Sequence, residues 1–225
     1  MFSFENLKGG LVVSCQAQFD HPFNNSQSIT ELAICAARGG AVGIRAEGAQ
    51  DIKAIKEKVD LPIIGIKKVH LYDNRFFITP NFTAAKEIID AGASAVAIEA
   101  TYENQPDDKQ LKMLIDKIHT ELNAPVMADI STIEEAERAY QSGANVVSTT
   151  LSGYTEQSKN NTQPNFELVR HLSNKKIPTV FEGHLKTPED ARVAINNGAY
   201  FCVVGAAITD PLQITQWFVS AIKGE

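Results

Sequence analysis

The sequence predicts a single-domain α/β fold, a closed (β/α)8 barrel of the TIM type over residues 1–225, and three observations carry that expectation. Eight short apolar runs are each followed by a stretch of helical periodicity, the strict alternation of a parallel sheet covered by helices. Each run is apolar almost throughout, as a strand buried on both faces must be, yet stops at a polar side chain or a glycine. A quasi-repeat, Gly39-Gly40-Ala41, Ala91-Gly92-Ala93, Ser142-Gly143-Ala144 and Asn197-Gly198-Ala199, places glycine where a left-handed residue ends a helix just ahead of the next strand. A chain of 225 residues, 44% of them hydrophobic, can bury one large core. An open doubly wound sheet is the second option, weakened because the first run lacks the glycine-rich turn of a dinucleotide fold.

Taken in order, the first run, LVVSCQ, ends at Gln16 and leads to a helix over 28–38. AVGIR ends at Arg45 before a helix over 49–58, and PIIGIKK ends at Lys68 before one over 82–91. AVAIE ends at Glu99 ahead of 108–121, and PVMAD at Asp129 ahead of 132–142, where Thr132 and Glu135 make a capping box. VVSTT ends at Thr150 before 165–173. PTVFE ends at Glu182 before 187–197, where Pro188 occupies the first turn, and FCVVG ends at Gly205 before 210–223. The long polar stretches 70–80 and 155–164 follow the third and sixth runs and are candidate lids, or ordinary surface loops.

Composition excludes several function classes. The net charge of -6 comes without a basic run or a basic-aromatic patch, so neither nucleic acid nor an anionic membrane is expected as a partner. Cys15, Cys35 and Cys202 are odd in number and widely spaced, against a disulfide framework or a zinc site. His21, His70, His119 and His171 show no ligand spacing, so no catalytic metal is expected. The start carries no apolar core of signal-peptide length and no stretch approaches a membrane span, so the expectation is a soluble cytoplasmic protein. Trp217 and Phe218 in the last helix read as core or interface anchors, with core favoured.

Side chains alternate along a strand, so residues two apart share a face. If the last residue of each run points inward, Gln16, Arg45, Lys68, Glu99, Asp129 and Glu182 converge in the barrel mouth, while Lys67 faces the helices and snorkels. A one-residue slip would exchange the two lysines. One lysine with several carboxylates, an arginine and an amide suits proton transfer beside a carbonyl. A lysine in a dry pocket near another cation would serve as a neutral base. The alternatives are Schiff-base chemistry at Lys68 and a purely structural rim of ion pairs. Glycines at the last two strand ends, Gly183 and Gly205 followed by Ala206, suggest a phosphate seat built from backbone N–H groups and a helix start. His184 reads as a solvated hydrogen-bond partner, and Cys15 as packed on the opposite face from Gln16.

The ordered set Gly10–Ala17, Gly39–Ala46, Leu61–Lys68, Met127–Thr132, Ser148–Thr155, Glu182-Gly183 and Val203–Thr209 resembles the N-acetylmannosamine-6-phosphate 2-epimerases over almost the whole chain. The resemblance implies a phosphate-binding (β/α)8 barrel that interconverts N-acetylmannosamine 6-phosphate and N-acetylglucosamine 6-phosphate in sialic acid and amino sugar catabolism, without a cofactor and often as a homodimer. It makes Lys68 the base at carbon 2 and Glu182 the second acid/base or ring-opening group. Gln16, Arg45 and Asp129 would hold the substrate, and Thr150, Gly183, Gly205 and Ala206 join the substrate-binding set. The chain departs from the family pattern at Asp210, where arginine is usual, at His184, where arginine or asparagine is usual, and at Glu99, where aspartate is usual. Tyr102-Glu-Asn-Gln-Pro106 replaces a basic stretch. Aspartate for arginine beside a phosphate reverses a charge-assisted contact worth roughly 1.5–3 kcal/mol. Lys186 and His184 are candidate compensating groups. An altered substrate preference and a non-catalytic sugar-phosphate-binding barrel are the alternatives.

Overall fold

The structure, a computed structural model, describes residues 2–70 and 76–224. A 3-10 turn, Phe4–Leu7, precedes β1 (Leu11–Cys15), α1 (Ser26–Arg38), β2 (Gly43–Glu47), α2 (Ala49–Lys56) and β3 (Ile63–Ile66). A hairpin of β4 (Lys68–His70) and β5 (Phe76–Ile78) comes next, then α3 (Phe82–Asp90), β6 (Ala95–Glu99) and α4 (Asp108–Lys117). The remainder runs β7 (Val126–Asp129), α5 (Ile133–Gln141), β8 (Val146–Ser148), α6 (Phe166–Asn174), β9 (Thr179–Glu182), α7 (Pro188–Asn196), β10 (Cys202–Val204), α8 (Ala206–Thr209) and α9 (Pro211–Lys223).

Eight strands close a parallel barrel in the order β1-β2-β3-β6-β7-β8-β9-β10, with β10 returning to β1 at Leu11↔Cys202. Every barrel strand coincides with a predicted run, except that β2 continues two residues beyond Arg45 to Glu47. The (β/α)8 architecture is therefore the one the alternation foretold, with the hairpin β4–β5 inserted between the third strand and its helix.

Alternation divides the core into two shells. Val12, Ile64, Ile66, Ala95, Ala97, Met127, Val146, Val180 and Val203 fill the barrel interior. The intervening residues, such as Val13, Ile44, Val96 and Ala128, pack outward against the helices. Gly65 points outward where no side chain fits: a Cβ there would lie 2.0 Å from Ile88 Cγ2 and 2.9 Å from Ala93 Cβ. Phe4 and Leu7 plug the base of the barrel, Phe4 stacked on Phe201 at 6.2 Å between ring centroids.

The helices begin where their caps place them. Thr132 accepts from Glu135 N while Glu135 reaches back, and Thr187 makes the same box with Asp190 ahead of Pro188. After α1 the left-handed residue is Gly40 (φ 93°) and not Gly39, which remains right-handed as the C-cap. The helix predicted over 108–121 is α4 followed by a single π turn, Ile118–Leu122, which ends at left-handed Asn123. Cys15 and Cys202 are buried, and burial pushes both thiols up to about 12.

The expectation that Trp217 and Phe218 belong to the core is corrected. No residue of α9 is buried and Phe218 is 67% exposed. Phe218 shares an exposed apolar face of α9 with Leu212, Val219 and Ile222, while Trp217 is half-buried at the cavity rim.

Candidate functional site

A cavity of about 580 Å³ opens at the carboxyl ends of the barrel strands, where barrel sites lie. Gln16, Arg45, Lys68, Glu99, Thr150, Glu182, Gly183, Gly205 and Ala206 all line it, and Asp129 lies directly beneath, bonded to Arg45 and Thr150. The predicted ring is thus assembled in one place by strand parity.

Arg45 is its centre. The guanidinium, 1% exposed, makes a bidentate pair with Asp129 (Nη1–Oδ1 3.0 Å, Nη2–Oδ2 2.6 Å) and a second ion pair with Glu182 (Nη1–Oε2 2.6 Å). Burial opposes the charge on Arg45, but attraction and hydrogen bonds from both carboxylates outweigh it and hold the pKa above its usual value. The Thr150 hydroxyl sits among the three, 2.7 Å from Asp129 Oδ1, 3.0 Å from Glu182 Oε2 and 3.3 Å from Arg45 Nη1. Since β8 ends at Ser148, Thr150 reaches this point from a 3-10 turn, Thr149–Leu151.

One arginine shared by two carboxylates cannot neutralise both. Burial raises the Glu182 carboxyl to about 7, against the pull of Arg45 and with the push of Asp129. Both of its polar contacts use Oε2, and Oε1 has no protein partner among the described residues. The Glu182 carboxyl thus stands at the cavity wall with its pKa raised toward neutrality and one oxygen turned away from the Arg45 and Thr150 contacts.

Parity also separates the lysines. Lys67 turns outward onto Glu87 of α3, and Lys68 turns into the cavity. Two details differ from the sequence-based expectation. The barrel strand stops at Ile66, so Lys68 belongs to the hairpin, paired with Ile78. Its Nζ lies 3.1 Å from Glu47 Oε2 and 4.9 Å from the centroid of the Phe76 ring, with 23% of the side chain exposed, so a carboxylate and an aromatic face adjoin it rather than a second cation in a dry pocket. Glu47 was legible as the residue two beyond Arg45 on the same face of β2, but the apolar run had already ended. Phe76 and the hairpin carried no signal in the polar stretch 70–80, of which 71–75 lie outside the described residues.

On the opposite side, Gly183 (φ 115°) and Gly205 open the last two strand ends, and Gly205 caps α8, whose first N–H groups have no acceptor within the helix. Thr209 anchors α8 to β1 through Ser14 O at 2.9 Å. Gln16 donates to Ser14 Oγ at 2.8 Å. Asp210 Oδ1 caps α9 by accepting from Gln213 N (2.8 Å) and lies 3.2 Å from His21 Nε2. His21 Nδ1 accepts from Phe23 N, which leaves Nε2–H to donate to Asp210. Lys186 Nζ lies 5.5 Å from the centroid of the Trp217 ring at the same rim. His184 is strained (φ 57°), stacks on Tyr154 at 5.1 Å and contacts Ser152 O. The stretch 155–164 is tied down, with Thr155 Oγ1 donating to Ser131 Oγ and Ser158 bonded to Gly153.

Residues 29–224 match the family described as "Putative N-acetylmannosamine-6-phosphate epimerase". The chain belongs to this epimerase family. A relative from Clostridium perfringens strain 13, described as "Putative N-acetylmannosamine-6-phosphate 2-epimerase", is 44% identical over 218 residues, covering 96% of this chain and 98% of its own. One from Listeria innocua with the same description is 41% identical over 223 residues, covering 97% and 96%. The solved structure of the N-acetylmannosamine-6-phosphate 2-epimerase from Clostridium perfringens superposes with a TM-score of 0.90 at 42% identity over 97% of this chain and 95% of that one. A thiamine phosphate pyrophosphorylase from Pyrococcus furiosus, 18% identical with a TM-score of 0.61, shares the fold alone. The Asp210 carboxylate at the rim of this cavity is committed to the start of α9 and to His21.

Proposed function

We propose that the protein is a sugar-phosphate 2-epimerase that interconverts N-acetylmannosamine 6-phosphate and N-acetylglucosamine 6-phosphate. The observation that carries this reading is the inward-turned Lys68 sharing one cavity with the Glu182–Arg45–Asp129–Thr150 cluster. In the open-chain sugar the C2–H bond lies next to the C1 aldehyde. Lys68 Nζ takes the C2 proton, the bonding electrons move to the carbonyl oxygen as an enolate, and return of a proton to the opposite face inverts the carbon. Glu182 supplies the second acid/base function and Arg45 with Thr150 fixes its orientation. The aldehyde is the electron sink, so the reading calls on no cofactor or metal. Gln16 and Thr150 hold the sugar, Asp129 supports them from beneath through Arg45 and Thr150, and backbone N–H groups at Gly183, Gly205 and Ala206 seat the phosphate.

In deuterium oxide, proton NMR should show solvent deuterium entering C2, and Lys68→Ala should abolish it. A folded parent enzyme that exchanges nothing refutes the reading. Binding in calorimetry without exchange would favour a non-catalytic sugar-phosphate-binding barrel. The Asp210 carboxylate favours a second reading, an epimerase with altered phosphate preference, for which the unphosphorylated sugar would exchange as fast as the phosphorylated one.

As a single domain, the chain assembles on this reading as a homodimer through the apolar face of α9. Among the described residues no helix is long and apolar enough to cross a membrane, and the proposed location is the cytoplasm. Phe218→Glu with Ile222→Glu should convert a dimer to a monomer in size-exclusion chromatography with light scattering. An unchanged mass removes α9 as the interface.

A further inference from the structure

We propose that Glu99 is a positioning residue for Lys68 that acts through the hairpin β4–β5 and not through the substrate. The proposal rests on the reading of Lys68 as the base at C2.

The barrel does not hold Lys68 directly. Its parallel ladder ends at Ile66, and the partner of Lys68 is Ile78 in β5. Whatever fixes β5 therefore fixes Lys68. Ile78 is held twice: its side chain is 2% exposed among the residues of the barrel interior, and its N–H donates to Glu99 Oε2 at 3.2 Å. Glu99 is itself immobilised at the end of β6, 3% exposed, with Oε1 accepting from Thr101 Oγ1 and Asn104 Nδ2, both at 2.7 Å. Three donors converge on it and no acceptor does, an arrangement that a carboxylate satisfies and an amide does not. Burial raises its pKa, and the three hydrogen bonds counter that.

The foot of the hairpin carries an independent sign of constraint. Thr79, fully buried, has φ 47°, which a β-branched residue adopts only where its surroundings over-determine it. Here they do: Thr79 N donates to Lys67 O at 2.7 Å, and Lys67 N donates to Thr79 Oγ1 at 3.1 Å. This reciprocal clasp and the Glu99 latch set the register of β4 against β5. Register is what matters, because a one-residue slip would send Lys68 toward Glu87 and bring Lys67 into the cavity. The hairpin also delivers the Phe76 ring to Lys68 Nζ.

The test compares Glu99→Gln, Thr79→Val, Thr79→Ser and Lys68→Ala by kcat, KM and the rate of deuterium entry at C2, with melting curves to establish folding. Glu99→Gln and Thr79→Val should each lower kcat and exchange by roughly tenfold or more, the scale of a displaced catalytic group, with KM within about twofold of the parent. Thr79→Ser, which keeps the hydroxyl, should retain the parent kcat. A raised KM with unchanged kcat in Glu99→Gln would make Glu99 a substrate contact and overturn the proposal, as would full activity in Thr79→Val. Should Glu99→Gln not fold, the contrast between Thr79→Val and Thr79→Ser decides. Lys68→Ala separates the two levels: if it still exchanges deuterium, the base assignment fails, and if it is silent while Glu99→Gln turns over normally, only the positioning role fails.

Discussion

Asp129→Ala is the sharpest test of how the site is built. Asp129 is fully buried and supplies two of the acceptors of the equally buried Arg45, plus the acceptor for the Thr150 hydroxyl. The substitution leaves a cation in the interior with Glu182 as its one remaining carboxylate, and Arg45 Nε already lacks a partner among the described residues. Breaking a buried pair by removing one member costs about 3–5 kcal/mol, and the surviving Glu182 contact places this case near 3. At about 2–4 °C per kcal/mol for a chain of this size, the melting temperature should fall by roughly 6–12 °C. Asp129→Asn, which keeps one oxygen facing the guanidinium, should lose about half as much. Arg45→Met combined with Asp129→Leu should recover part of the stability, because the stranded cation is gone and Glu182, deprived of its partner, can take up a proton, while remaining inactive. Urea unfolding followed by circular dichroism reads all four proteins. An Asp129→Ala variant within about 1 kcal/mol of the parent, or a double variant less stable than the single one, would refute the reasoning.

Three further outcomes follow from the same geometry. Glu182 has a folded value of about 7, above the unfolded one, so between about pH 4.5 and 7 the native state binds more protons than the unfolded chain, and stability falls as pH rises through that window. Glu182→Gln lacks this slope and should gain on the parent between pH 5 and pH 8 in thermal melts; a relative loss would contradict the assignment. Asp210→Asn keeps an oxygen for Gln213 N and His21, so the melt should move little while KM for the phosphorylated sugar falls and that for the unphosphorylated sugar does not. Gly65→Ala should destabilise by about 1–3 kcal/mol, since Ile88 and Ala93 must move aside, read as a lower urea midpoint.

Strand parity and helix caps are local properties, which is why all eight barrel strands and the eight main helices are legible in the sequence, as is the inward turn of Lys68 once the register is taken from the run ends. The contacts that give the site its electrostatics are not local. Arg45 meets residues 84, 105 and 137 positions away, and no pattern in the run AVGIR says that two carboxylates will share one guanidinium. Glu47 was missed because the hydrophobic run stops short of it, and the hairpin because two three-residue strands in a polar stretch have no periodicity to read. The misreading of Phe218 has a different cause. An apolar helix face looks the same in sequence whether it packs on its own barrel or on another surface.

The plug at the barrel base bears on the order in which this protein can be built. Residues 4–7 leave the ribosome almost the whole barrel ahead of Phe201, the ring on which Phe4 stacks, and β1 has no second neighbour until Cys202–Val204 exist. Contacts so distant in sequence are slow to form. During synthesis the opening strand therefore waits with an unpaired edge and two uncovered apolar side chains, Phe4 and Leu7. Ring closure and base sealing become one late event, so a chain interrupted before β10 retains neither.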